Sequence, residues 1–97
     1  MSASNVFEAA INHWGEKTQG AMAMGECGEL IAALNRYFVQ NRENRDEVIE
    51  EIADVEIMLE QLKYMFGSED VEQVKARKIN RLYDIVCGNV DHQHKAP

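Results

Sequence analysis

The sequence predicts an all-α protein, a four-helix antiparallel bundle-like domain that oligomerises through helix packing. Three observations carry this fold class. The only proline is the last residue, Pro97, so nothing inside the chain breaks a long helix. Apolar residues recur at spacings of three and four, and no stretch shows the alternation of a half-buried strand. Gly15, Gly67 and Gly88 fall where periodic stretches stop, the place of residues that close helices.

The first helix is expected from about Ser4 to Trp14, ending near Gly15. The second should run from about Thr18 to Gln40 and the third from about Arg45 to Phe66, stopped by Gly67. A fourth, opening at Ser68 or Asp70, should end at Gly88, with Asp70 and Gln73 spaced as a capping box. Asn41 to Asn44 is short and polar, as a link between antiparallel neighbours should be. Residues 1–90 are expected to form one domain, and the polar stretch 91–97 a disordered tail.

Periodicity assigns inward faces. In the third helix Val48, Ile52, Val55, Leu59, Leu62 and Phe66 form one stripe, opposite Glu56, Glu60 and Lys63. Val71, Val74, Leu82, Ile85 and Val86 form the stripe of the fourth. The second carries Ala23, Cys27, Leu30, Ile31, Leu34 and Phe38 on one arc, flanked by a ridge of Ala21, Gly25, Gly28 and Ala32 that would admit a close neighbour. Glycine inside a helix costs about 1 kcal/mol relative to alanine, so Gly25 and Gly28 ask for a packing or functional reason.

Ninety-seven residues, 45% of them hydrophobic, make only a modest core, and association is the usual remedy, so a homodimer or homotetramer is expected. A net charge of −7 argues against duplex nucleic acid and anionic membranes as partners. No apolar run approaches the roughly 20 residues of a membrane span, and Met1 to Asn5 lacks the basic and apolar segments of a secretory signal. Cys27 and Cys87 lie on apolar faces, which suits reduced, buried thiols and a cytoplasmic location.

Four acids stand out. Glu26 and Glu29, then Glu51 and Asp54, are both acid-x-x-acid, and 21 residues separate the pairs. Residues three apart on a helix are surface neighbours, so each pair offers two oxygen ligands on one side. On antiparallel helices the pairs can face each other around Mg²⁺, or Mn²⁺ in its place. The wheel puts Glu51 and Asp54 with Met58 and Met65 beside the core stripe, and Glu26 and Glu29 with Met22, Ala33 and Tyr37. Like charges at such a boundary repel unless protonated or bound to a cation. Acid pairs are also common on solvated helices, but two pairs at core boundaries favour the metal. Glu47 shares the sector of Glu51 and Asp54 as an outer group, or is simply a first-turn acid favoured by the helix dipole.

Basic residues lie on the fourth helix. Lys78 sits at the centre of its apolar arc, with Lys75 in the arc and Arg81 at its edge. A snorkelling stem explains Lys75; for Lys78 a cleft-facing ammonium paired with carboxylate or phosphate competes equally with that account. Trp14 and Gln19 are candidates for stacking on and hydrogen-bonding a base, although a tryptophan more often anchors a core or interface. No His-x-x-x-His or Glu-x-x-His spacing supports zinc or di-iron, and there is no glycine-rich phosphate loop.

The stretch QGAMAMGECGELIAAL from Gln19 to Leu34, followed by EEIADVEIMLEQL from Glu50 to Leu62, resembles the MazG-like nucleoside triphosphate pyrophosphohydrolases of the all-α NTP pyrophosphatase superfamily. Their motif is E-E-x-x-E, a spacer, then E-x-x-D, and the likeness extends from about Trp14 to Arg81. The resemblance implies a dimeric or tetrameric helical bundle in which Glu26, Glu29, Glu51 and Asp54 hold Mg²⁺. It places Lys78 and Arg81, within KINRL, on phosphate. It implies cleavage of a (d)NTP to (d)NMP and pyrophosphate, as nucleotide-pool housecleaning, with Glu26 or Glu29 accepting the proton of the attacking water. One position departs from the motif: its first glutamate is Gly25 here. That departure favours the alternative, a regulatory module that binds metal or nucleotide without turnover.

Overall fold

The computed structural model describes residues 3–88, and all of its regular elements are helical: α1 (Ala3–Trp14), α2 (Glu16–Leu34), α3 (Arg45–Phe66) and α4 (Ser68–Val86). The stretch 91–97, expected to be a disordered tail, lies outside these residues. None of the helices is long and apolar enough to cross a membrane.

The breaks follow from single residues. Gly15, at φ 93°, takes a backbone that L side chains rarely adopt. Its N–H still closes α1 on the Ile11 carbonyl, and its carbonyl accepts the first bond of α2 from Gln19. The second helix starts at Glu16 rather than Thr18, because Gly15 supplies the turn. At its far end α2 widens into a π-helical turn, Asn35–Val39. Gln40 N–H reaches back to the Asn35 carbonyl and Arg42 N–H to Arg36, closing the wider coil. Asn41 then reverses the chain at φ 56°, a conformation asparagine tolerates better than most residues.

α3 keeps the expected bounds. Its first bond runs from Val48 N–H to the Asn44 carbonyl, and Asp46 and Glu47 place negative charge at the positive helix end. Gly67, at φ 111°, ends α3 and serves as N-cap of α4. No side chain caps α4, so the expected Asp70–Gln73 box does not define its start; the helix is already under way at Ser68.

The chain divides into two compact units, one to Met65 and one from Phe66. In the first, α2 and α3 run antiparallel. Gln19 on α2 meets Gln61 on α3, and ten to twenty residues on Ala33 and Arg36 meet Asn44 and Glu47. α1 joins them through buried Ile11 and through the Tyr64 hydroxyl, which donates to the Glu8 carboxylate. That bond holds the phenol proton and pushes Tyr64 above its ordinary 10.0.

The faces turned inward differ from the periodicity reading. Buried in α3 are Met58 and Gln61, whereas Ile52, Leu59 and Phe66 of the expected stripe are exposed. On α2, Gln19, Ala23 and Ala33 are buried, while Ile31 and Cys27 of the expected arc, and Phe38 in the π-helical turn, are exposed. Both helices have turned roughly one residue position, so the sector holding the acids faces the partner helix. Cys87 is exposed as well, so neither thiol is the buried one expected. The glycine ridge meets nothing: a Cβ added at Gly25 or Gly28 would find no atom within 4 Å.

In the second unit Val71 and Ile85 are half-buried, and Val74, Leu82 and Val86 are more exposed than the predicted stripe implied. Lys75 and Lys78, both exposed, line a groove with Val74, Ile79 and Leu82.

Gly67→Ala is expected to destabilise the protein by about 1–3 kcal/mol, read as a lower midpoint in urea unfolding. The added Cβ would lie 3.2 Å from Asp70 Oδ2 in a backbone conformation that resists any L side chain.

Candidate metal centre

The acid pairs meet because α2 and α3 are antiparallel. Glu26, one turn beyond Met22, faces Glu51 and Asp54, which lie one turn apart on α3. One carboxylate oxygen from each of the three lies within 4.8 Å of the other two. Glu29 is not in this close group; it stands exposed one turn further along α2, on the same side. It remains near enough to act on Glu51 through its charge. Glu26 and Glu51 are half-buried, and Asp54 is exposed, so the cluster opens to solvent on the Asp54 side.

Glu51 carries the tension of the arrangement. Its Oε2 is buried and finds no hydrogen-bond partner. Burial pushes its carboxyl above the ordinary 4.5, and the charges of Asp54, Glu26, Glu29 and Glu47 push the same way. A buried acceptor usually finds a donor, and an orphan therefore asks for an explanation. A hard divalent cation would satisfy both complaints, since it takes carboxylate oxygens and cancels their mutual repulsion. Three carboxylates from two helices, open on one side, leave room for water or phosphate oxygens that such a cation also needs.

Glu47, read as an outer group, turns away from the triad. Its Oε1 accepts from Arg36 Nε at 2.9 Å, Arg36 Nη2 at 2.7 Å and Asn44 Nδ2 at 2.9 Å. The Arg36 hydrogen bond holds its carboxyl below the ordinary 4.5, with Asn44 next in weight. Asn44 Nδ2 also donates to the Ala33 carbonyl at 3.0 Å, so the same group ties the end of α2 to the start of α3. Sequence patterning missed Arg36, which lies in the π-helical turn Asn35–Val39, a feature frequent at functional sites.

Trp14 and Gln19, singled out for a base, do line one cleft with Thr18 and Met22, of about 330 Å³. Trp14 is more than half exposed and packs edge-on against His13. Gln19 is buried, its Nε2 donating to Gln61 Oε1 at 2.9 Å. Gln61 in turn points Nε2 at Met58 Sδ, which can only accept, so the thioether fixes which way round both amides lie. Lys75, Lys78 and Arg81 lie on α4, exposed to solvent.

Comparison with protein families, with curated proteins and with solved structures finds no match to this chain.

A raised carboxyl opposes folding at neutral pH. The unfolded chain releases the Glu51 proton near 4.5 and the folded chain only at higher pH, so stability falls as pH rises through that interval. Glu51→Gln is therefore expected to raise the metal-free melting temperature at pH 7 by a few degrees and to flatten its decline above pH 4.5. Scanning calorimetry in a chelator across that range measures both.

Proposed function

We propose that the chain is a Mg²⁺-dependent nucleoside triphosphate pyrophosphohydrolase, cleaving (d)NTP to (d)NMP and pyrophosphate, and that it works as a homodimer or homotetramer. The observation that carries this reading is the triad of Glu26, Glu51 and Asp54 with the orphaned Glu51 Oε2 inside it. Glu26, Glu51 and Asp54 would hold the cation, with Glu29 close by as a further oxygen donor. A bound divalent cation supplies charge that polarises phosphoryl oxygens and lowers the pKa of water. Glu26 and Glu29 are the candidates to accept the proton of the attacking water. Lys75, Lys78 and Arg81 are the candidates to neutralise phosphate.

Spacing within the first unit suits a nucleotide. Gln19 and Glu26 are seven residues apart on α2, two turns or about 10 Å along one face. Gln61 and Asp54 repeat that interval on α3, so the cleft at Trp14 and the acid triad stand apart by about the reach from a base to its phosphates. The resemblance of the two acid motifs points to the same chemistry.

Association is supported by what stays uncovered. Among the described residues the buried apolar set is Ile11, Ala23, Ala33 and Met58, whereas Met24, Ile31, Phe38, Phe66 and Val86 are mostly exposed. So small a core cannot offset the entropy of ordering such a chain. A second copy in a helical bundle would bury these faces.

The competing reading is a module that binds metal or nucleotide without turnover, and Gly25 favours it. The motif has a glutamate there, and this chain offers only open space.

Pyrophosphate release from a panel of NTPs and dNTPs with Mg²⁺ decides between them. Turnover of at least one nucleotide is expected. Glu51→Gln and Asp54→Asn should each lower it at least about 100-fold, since loss of groups merely supporting metal ligands already costs 10–100-fold. No release from any nucleotide would reject the enzyme, and metal-dependent nucleotide binding without release would establish the module. Light scattering is expected to give a mass that is a multiple of 11.1 kDa, reduced to one unit by Phe38→Glu if that face is buried between copies.

A further inference from the structure

The three carboxylates of the triad repel one another in the metal-free protein, and two polar ties bracket them. On one side Gln19 and Gln61 join α2 to α3. On the other stands the Arg36, Glu47 and Asn44 group, whose members reach across the helix pair in both directions. Arg36, at the start of the π-helical turn, donates to Glu47, and Asn44 donates to both Glu47 and the Ala33 carbonyl. Glu47 lies one turn from Glu51 on α3, so whatever holds Glu47 against α2 also sets how near Glu51 comes to Glu26.

The two ties differ in kind. The glutamines sit in a buried, neutral pair, whereas Arg36–Glu47 is an ion pair that is partly exposed. A partly exposed ion pair contributes little to overall stability. Two of its guanidinium nitrogens, Nε and Nη2, converge on one oxygen, and this fixes position instead. The three donors on Oε1 hold the Glu47 carboxylate in place between Arg36 and Asn44.

Resting on the reading of the triad as a cation site, we propose that Arg36, Glu47 and Asn44 form a positioning clamp that holds Glu26 against Glu51 and Asp54 at cation-binding separation. None of the three is a ligand. Their loss lets the helices part under carboxylate repulsion, and a cation must then spend binding energy to bring them back.

The test is Mn²⁺ binding to the full-length protein, followed by electron paramagnetic resonance at a temperature where circular dichroism shows every variant folded. Wild type should bind Mn²⁺. Arg36→Ala and Glu47→Ala should each weaken binding about 10-fold, the range seen when groups supporting metal ligands are lost. The charge-exchanged pair Arg36→Glu with Glu47→Arg should recover most of that affinity. Single variants that bind like wild type, whatever their melting temperature, would overturn the clamp and leave the cation site standing. So would a loss that the exchanged pair does not restore. Wild type that binds no Mn²⁺ would overturn the cation site and the clamp together.

Discussion

Two helices that present carboxylates to each other must be held together by something other than those carboxylates. That constraint organises the first unit of this protein. Glu26 on α2 faces Glu51 and Asp54 on α3, and Glu51 is both partly buried and short of a donor. The antiparallel pair survives because its contacts on either side of the triad are favourable: neutral amides at Gln19 and Gln61, and a charge-assisted fork at Arg36 and Glu47. Charges of one sign lie at the middle and complementary groups at the ends, an arrangement that the proposed cation would stabilise by binding the folded state alone.

The same pair explains why the interior is so polar. Among the described residues, two of the six that are buried are glutamines, and two of the remaining four are alanines. Small residues let α2 approach α3, and the glutamine amides satisfy each other where water cannot reach them. Apolar residues displaced from this seam, Ile31 on α2, Phe38 in the π-helical turn and Leu59 on α3, remain on the outer surface. The seam is therefore polar and the apolar side chains lie on the outer faces of the same helices, where the proposed association would cover them.

Much of this was legible in the chain. The bounds of α3, Arg45 to Phe66, follow from a polar link on one side and Gly67 on the other. The two acid-x-x-acid motifs stand out in the sequence, and three of their four acids converge. The inward faces were less legible. α2 and α3 are rich enough in apolar residues that two adjacent stripes compete, and a hydrophobicity pattern selects the greasier one. The stripe that packs contains Gln19, Glu26, Glu51 and Gln61, whose value lies in hydrogen bonds and charge. Cys27 was placed inside for the same reason and lies outside.

By itself the sequence determined that the chain is helical, where α3 starts and stops, and which acids stand one turn apart. These are local matters, settled by propensity, glycine conformation and hydrogen bonds between residues a few positions apart. Tertiary structure decided which oxygens meet, that Glu29 stands aside, and that Glu47 turns to Arg36 instead of the triad. Those outcomes depend on the register of one helix against another, fixed by contacts between residues up to 42 positions apart, as for Gln19 and Gln61. Periodicity within a single helix carries no information about that register.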